Sequence, residues 1–165
     1  MKVLLAALLI VLPFAAMAQE NKAEAELMQA MAYSKVEQKR IKEPGEAIRA
    51  LVREKVLALK PDRRMDYTDY RIVKRPATFL GQELVVVEEE YLTKYIGCCV
   101  NEGIGAILRV TGDRAPLEAF AKENLCKLRE QQHVLEDLRN IGMKNISGEY
   151  TAISCRERDT VELTR

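Results

Sequence analysis

Glu83-Leu84-Val85-Val86-Val87-Glu88-Glu89-Glu90-Tyr91-Leu92 and Ile104-Gly105-Ala106-Ile107-Leu108-Arg109-Val110 decide the fold. Both runs are short and rich in β-branched residues, the composition that suits a pleated, half-buried surface. In the second, Ile104, Ala106, Leu108 and Val110 share one face while Ile107 and Arg109 share the other. Tyr67 to Lys74 has the same character, and Pro76 and Gly81 punctuate the chain between it and the Glu83 run. This predicts a hairpin with an irregular connection, extended by the third strand into an antiparallel sheet.

Upstream, Ala23 to Leu59 has the composition of helix, interrupted once by Glu43-Pro44-Gly45, so two helices are expected there. Ile48, Leu51, Val52, Val56 and Leu59 form a clear apolar stripe on the second. The first has a weaker face of Leu27, Ala30, Met31 and Ile41. Downstream of Asp113, a helix carrying Leu117, Phe120, Ala121, Leu125 and Leu128 either breaks near Asn124 or carries Cys126 away from its core-facing side. Residues 129 to 141 continue as helix or hold a strand around His133 to Leu138. The tail, Glu149 to Arg165, alternates well enough for two short strands around Glu157-Arg158-Asp159, with Ile153 and Cys155 facing one way. The expected class is α+β: an N-terminal helical pair, a mostly antiparallel sheet, and one long or broken helix before two C-terminal strands.

The chain has 165 residues, 48% apolar and 31% charged, with 26 basic against 25 acidic residues. Those figures describe a globular chain and argue against disorder or a broad nucleic-acid-binding surface. Residues 1–18 read as a secretory signal peptide: Lys2, an apolar run from Val3 to Leu12, Pro13, then Ala16-Met17-Ala18 as an A-x-A cleavage site. Cleavage is expected between Ala18 and Gln19, leaving a single domain over 19–165 with no membrane anchor, in the periplasm or secreted. Ten apolar residues before Pro13 fall short of the roughly 20 that cross a bilayer.

Export places Cys98, Cys99, Cys126 and Cys155 where disulfides persist. In an extended segment adjacent cysteines point to opposite faces, so Cys98 and Cys99 are expected to pair with one each of Cys126 and Cys155. A vicinal Cys98–Cys99 bond or a reactive thiol is the functional alternative. No C-x-x-C occurs, and adjacent cysteines with one isolated histidine, His133, do not make a zinc tetrahedron.

The segment Gly97 to Gly105 gathers three glycines, Cys98, Cys99, Asn101 and Glu102. Its glycines could let a ligand approach, with Asn101 and Glu102 as polar contacts; the plainer reading is a disulfide-pinned turn whose glycines supply positive φ. In a strand, Glu88 and Glu90 share a face that a solvated surface explains, while Glu89 lies with Val87 and is the more interesting carboxylate if that face is buried. Lys39-Arg40-Ile41-Lys42 and Arg63-Arg64 are small basic clusters with few aromatics to interleave with them, and Asn145-Ile146-Ser147 is a sequon relevant only in a eukaryotic host. No nucleophile, nucleotide or metal motif is present, so no catalytic residue, metal or cofactor is nominated. The expected function is binding, of another exported protein or a small ligand, with an inhibitor or immunity-type role as the concrete form and no nucleic acid as partner. A small exported redox or hydrolytic enzyme using Cys98 or Cys99 is the alternative. Oligomeric state is not encoded in any readable pattern.

Overall fold

The computed structural model describes residues 14–90 and 102–165, with side chains from residue 22 onward. Cys98, Cys99 and Asn101, three of the expected site residues, lie outside the described residues. The chain order is α1 (Phe14–Met31), β1 (Tyr33–Ser34), β2 (Lys39–Arg40), α2 (Pro44–Arg53), β3 (Arg63–Met65), β4 (Thr68–Ile72), β5 (Thr78–Phe79), β6 (Gln82–Glu90), β7 (Gly103–Arg109), α3 (Ala115–Glu123), β8 (Lys127–Arg129), α4 (Gln131–Asn140), β9 (Tyr150–Arg156) and α5 (Glu157–Leu163). The α+β class is as expected. All strand pairings are antiparallel, in the order β3-β4-β6-β7-β9-β8, with β5 also paired to β6.

The sheet separates two apolar clusters. On one face Leu84, Val87, Ile104, Ala106, Leu108 and Ile153 meet α1, α2 and α3. Helix α1 contributes Ala23, Leu27, Ala30 and Met31, and α2 contributes Ala47, Ile48 and Leu51, spacings that keep one helical stripe turned inward. On the other face Val86, Ile107 and Ala152 pack beneath Val134 and Leu138 of α4. Leu84 and Val87 enter the same cluster because the pairing with β7 shifts between Leu84 and Val86. Val85 is the extra residue, and it reverses the odd-even reading of the strand downstream of it.

Two expectations need correction, and one open alternative is settled. The first expected helix ends at Met31, and residues 33–40 form a small hairpin, Tyr33 opposite Arg40, before α2. Ile41 and Leu59 therefore leave the expected apolar stripes and stand exposed. Beyond Asp113 the helix breaks near Asn124, the first of the two alternatives: it stops at Glu123, Asn124 caps it, Leu125 takes φ 52°, and a short strand that the sequence reading did not include precedes α4. In the tail the first strand forms as β9, but the second gives way to α5. Asp159 accepts the backbone N–H of Arg156 at 2.8 Å and forms a capping box there, which starts a helix.

The disulfide is also corrected. Cys126 and Cys155 bond to each other, 29 residues apart, and neither takes Cys98 or Cys99 as partner. The reason is register: β8 lies beside β9, with Lys127 opposite Ser154, so Cys126 and Cys155 flank that pair at a Cα separation of 4.4 Å. No helix among the described residues is long and apolar enough to cross a membrane. Helix α1 runs through the expected cleavage point between Ala18 and Gln19.

Candidate functional site

Where α4 does not cover the sheet, the second face carries charge. Across neighbouring strands Thr68, Glu90, Gly103 and Arg156 stand in one row, and Tyr70, Glu88, Gly105 and Ser154 in the next. Glu88 and Glu90 are only 1% and 4% exposed, which overturns the solvated face expected for them. Glu88 accepts from Arg129 at 2.6 Å and Arg156 at 2.9 Å. Glu90 accepts from Arg158 at 3.0 Å on one oxygen and meets Arg158 and Arg156 at 2.6 and 2.8 Å on the other. Arg156 also donates to Ser154 Oγ at 2.8 Å, and that hydroxyl donates to Asp159 at 2.7 Å. Arg129 bonds Asp137 of α4 at 2.5 Å. Burial opposes the charge on Arg129, but Glu88 and Asp137 more than offset it and hold its pKa above the ordinary arginine value. Buried carboxylates persist here because each is hydrogen-bonded to a guanidinium.

The glycines of β7 make this arrangement possible. A Cβ on Gly103 would lie 2.6 Å from Arg156 Cα and Cγ, and one on Gly105 would lie 2.9 Å from Glu88 Oε2. Neither glycine takes a positive φ. Their role is space under two charged side chains, not the turn geometry expected from sequence.

Above the charged rows is a cleft of about 380 Å³ lined by Asp66, Tyr67, Thr68, Tyr70, Glu88, Glu90, Arg129, Arg156 and Arg158. Burial, then the nearby charges of Glu88 and Asp137, push the Tyr70 hydroxyl up to about 12. At the rim, Asp66 and Tyr67 form the two-residue turn between β3 and β4, with φ of 45° and 67°. Positive φ at both central positions is the geometry of a type I′ hairpin, which favours glycine at the second of them. The β5–β6 turn obeys that preference with Leu80 and Gly81, at φ 51° and 79°. Tyr67 stands at the equivalent place with a bulky side chain, 48% exposed. Sequence reasoning missed Tyr67, although an Asp-Tyr pair between two strands was the available signal.

Glu89 lies on the opposite face, as its alternation predicts. Its carboxylate accepts from Arg71 at 2.8 Å, and Arg71 also donates to Asp69 at 3.3 Å. Glu102, at the start of β7, is half-buried; burial first, then a hydrogen bond to Glu43 and the charges of Glu43, Glu157 and Glu89, raise its pKa to about 7. The structure thus brings Glu89 and Glu102 into one electrostatic neighbourhood, on the side of the sheet away from the cleft. His133 is exposed on α4, and no metal-binding group of His, Cys, Asp and Glu occurs among the described residues.

Arg40, from the small basic cluster of residues 39–42, is a half-buried tie between elements. It donates to the carbonyls of Met31 at 2.7 Å, Asn124 at 2.5 Å, Leu125 at 3.1 Å and Arg156 at 3.4 Å, and to Thr160 Oγ1 at 3.2 Å. Desolvation lowers its pKa to about 10, partly opposed by the charges of Asp159, Tyr33 and Glu157. Its carbonyl partners explain why that position needs a planar, multi-donor cation. No family model matches the chain, and neither the curated proteins nor the solved structures contain a match to it.

Proposed function

We propose that this is an exported, disulfide-containing binding module that holds a partner protein at the cleft beneath Tyr67. The observation that carries the reading is the type I′ turn that keeps Tyr67, rather than glycine, over a floor of paired arginines and glutamates. A non-glycine residue at positive φ costs about 1–3 kcal/mol, a strain that concentrates where a side chain is needed for contact. Tyrosine and arginine around a concave patch are also the composition that dominates protein–protein hot spots. The leader-like N-terminus and the Cys126–Cys155 bond support export. An inhibitor or immunity-type partner of another exported protein is the form this takes.

The test is capture from envelope extract at low salt on immobilised wild-type protein and on the Tyr67→Gly and Arg158→Ala variants, with melting temperature as the folding control. A specific partner held by wild type and lost by both variants is expected. The absence of a specific partner, or equal capture by all three proteins, would overturn the reading.

One observation favours a second reading, a small exported hydrolase: Glu102 holds a proton up to about pH 7 beside Glu43, the range in which a carboxyl group serves as general acid or base. Loss of a hydrolytic activity in Glu102→Gln at unchanged melting temperature would favour that reading over the first.

A further inference from the structure

On the face of the sheet opposite the cleft, helix α2 leaves an open groove of about 400 Å³ between itself and strands β4 and β6. Arg71 and Glu89 form its floor. They belong to a ladder of balanced charge: Arg64 donates to Asp69 at 2.5 and 2.9 Å, and Arg71 donates to Asp69 at 3.3 Å and to Glu89 at 2.8 Å. Two cations face two anions there, so the floor favours neither sign.

The wall is not balanced. Ile48 and Val52 of α2, with Leu59 beyond it, line the groove with hydrocarbon, and Leu59 is 79% exposed. Arg49 and Arg53 stand on the same wall, four residues apart and therefore on one side of the helix, both exposed. Among the described residues neither guanidinium has an ion-pair partner. A Cβ on Gly45 would lie 3.2 Å from Arg49 Nη1, so the glycine gives that guanidinium room at the groove. The site therefore offers accessible apolar surface beside two uncompensated cations.

We propose that this groove binds an unbranched aliphatic carboxylate, its chain along Ile48, Val52 and Leu59 and its head group between Arg49 and Arg53. Covering exposed hydrocarbon drives the chain in, and guanidinium groups hold carboxylates in planar, often bidentate geometry. The volume is that of a small-ligand site. Other occupants fit less well. Strands β4 and β6 are each paired on both sides, so an extended peptide would find no free backbone partner and would bury its own N–H and C=O groups unsatisfied. A bilayer surface would reach Leu59 but not Ile48, which is 5% exposed. A second copy docked groove to groove across a two-fold axis would set one cationic wall against the other.

The experiment is calorimetric titration of the full chain with decanoate below its micelle concentration, beside acetate and decyltrimethylammonium. Saturable one-to-one binding of decanoate is expected, weakened by salt, with acetate and the decyl cation each at least about tenfold weaker. Arg49→Gln/Arg53→Gln and Leu59→Ser should each weaken decanoate several-fold at unchanged melting temperature, since all three side chains are exposed. No saturable binding, equal affinity for the decyl cation, or unchanged affinity in both variants would overturn the proposal. So would sedimentation with anionic phospholipid vesicles, or dimerisation, that depends on Leu59 while decanoate stays unbound; those results assign the face to a membrane or to a second copy. The groove and the cleft beneath Tyr67 share no lining residue, so failure here leaves the partner reading untouched.

Discussion

Tyr67 sits in a backbone conformation that its side chain disfavours, and Gly81 in the other tight hairpin shows what relaxed chemistry looks like there. Tyr67→Gly should therefore stabilise the protein by about 1 kcal/mol, the relieved strain less the extra freedom of glycine in the unfolded chain. Thermal melting should show a rise of about 3 °C together with loss of partner binding. Glu102 gives the opposite kind of test. Its folded pKa of about 7 stands above the ordinary 4.5, so the native state binds more protons than the unfolded chain between those values. Its contribution is fully present below pH 4.5, is lost as pH rises through 7, and is flat beyond. The melting temperature of wild type relative to Glu102→Gln should fall across that window; a pH-independent difference would contradict the assignment.

Strand β7 is where element and site meet. An alanine at position 103 would place its Cβ against the backbone and side chain of Arg156, which the neighbouring strand cannot readily yield. Gly103→Ala should cost about 3 kcal/mol or more in urea unfolding, at the upper end for overpacking. The longer strands β4, β6, β7 and β9 were readable because β-branched residues recur over short runs, whereas the two- and three-residue strands β1, β2, β3, β5 and β8 are too short to leave such a pattern; the break near Asn124 was readable from the angle Cys126 would make with Leu117. The burial of Glu88 and Glu90 was not. Alternation says which residues share a face, but what covers it depends on Arg129 and Arg156, 41 and 68 residues from Glu88 in sequence. The β1–β2 hairpin was hidden for a different reason: Lys35, Glu37, Gln38 and Lys39 are good helix formers, and the hairpin is fixed by tertiary bonds from Arg40. Helix α5 was missed because Asp159 was read as part of a turn, whereas its carboxylate caps the chain that follows.

At the scale of the whole molecule, the Cys126–Cys155 bond ties the chain around α4 to the sheet. Closing 29 residues contributes about 3–4 kcal/mol in the chain-entropy model, so Cys126→Ala/Cys155→Ala should lose that much in denaturant unfolding. Differential alkylation with peptide mapping checks the pairing itself: Cys126 and Cys155 should emerge in one linked peptide pair, and a link from either to Cys98 or Cys99 would contradict it. The bonds of Arg40 have a consequence in time. Its partners beyond Met31 lie 84 to 120 residues away, so they can be made only after distant parts of the chain have already assembled. Interactions that form after the transition state act on the reverse reaction rather than the forward one. Arg40→Met should therefore leave the refolding rate nearly unchanged and accelerate unfolding, making this guanidinium a bolt that sets how long the assembled protein lasts.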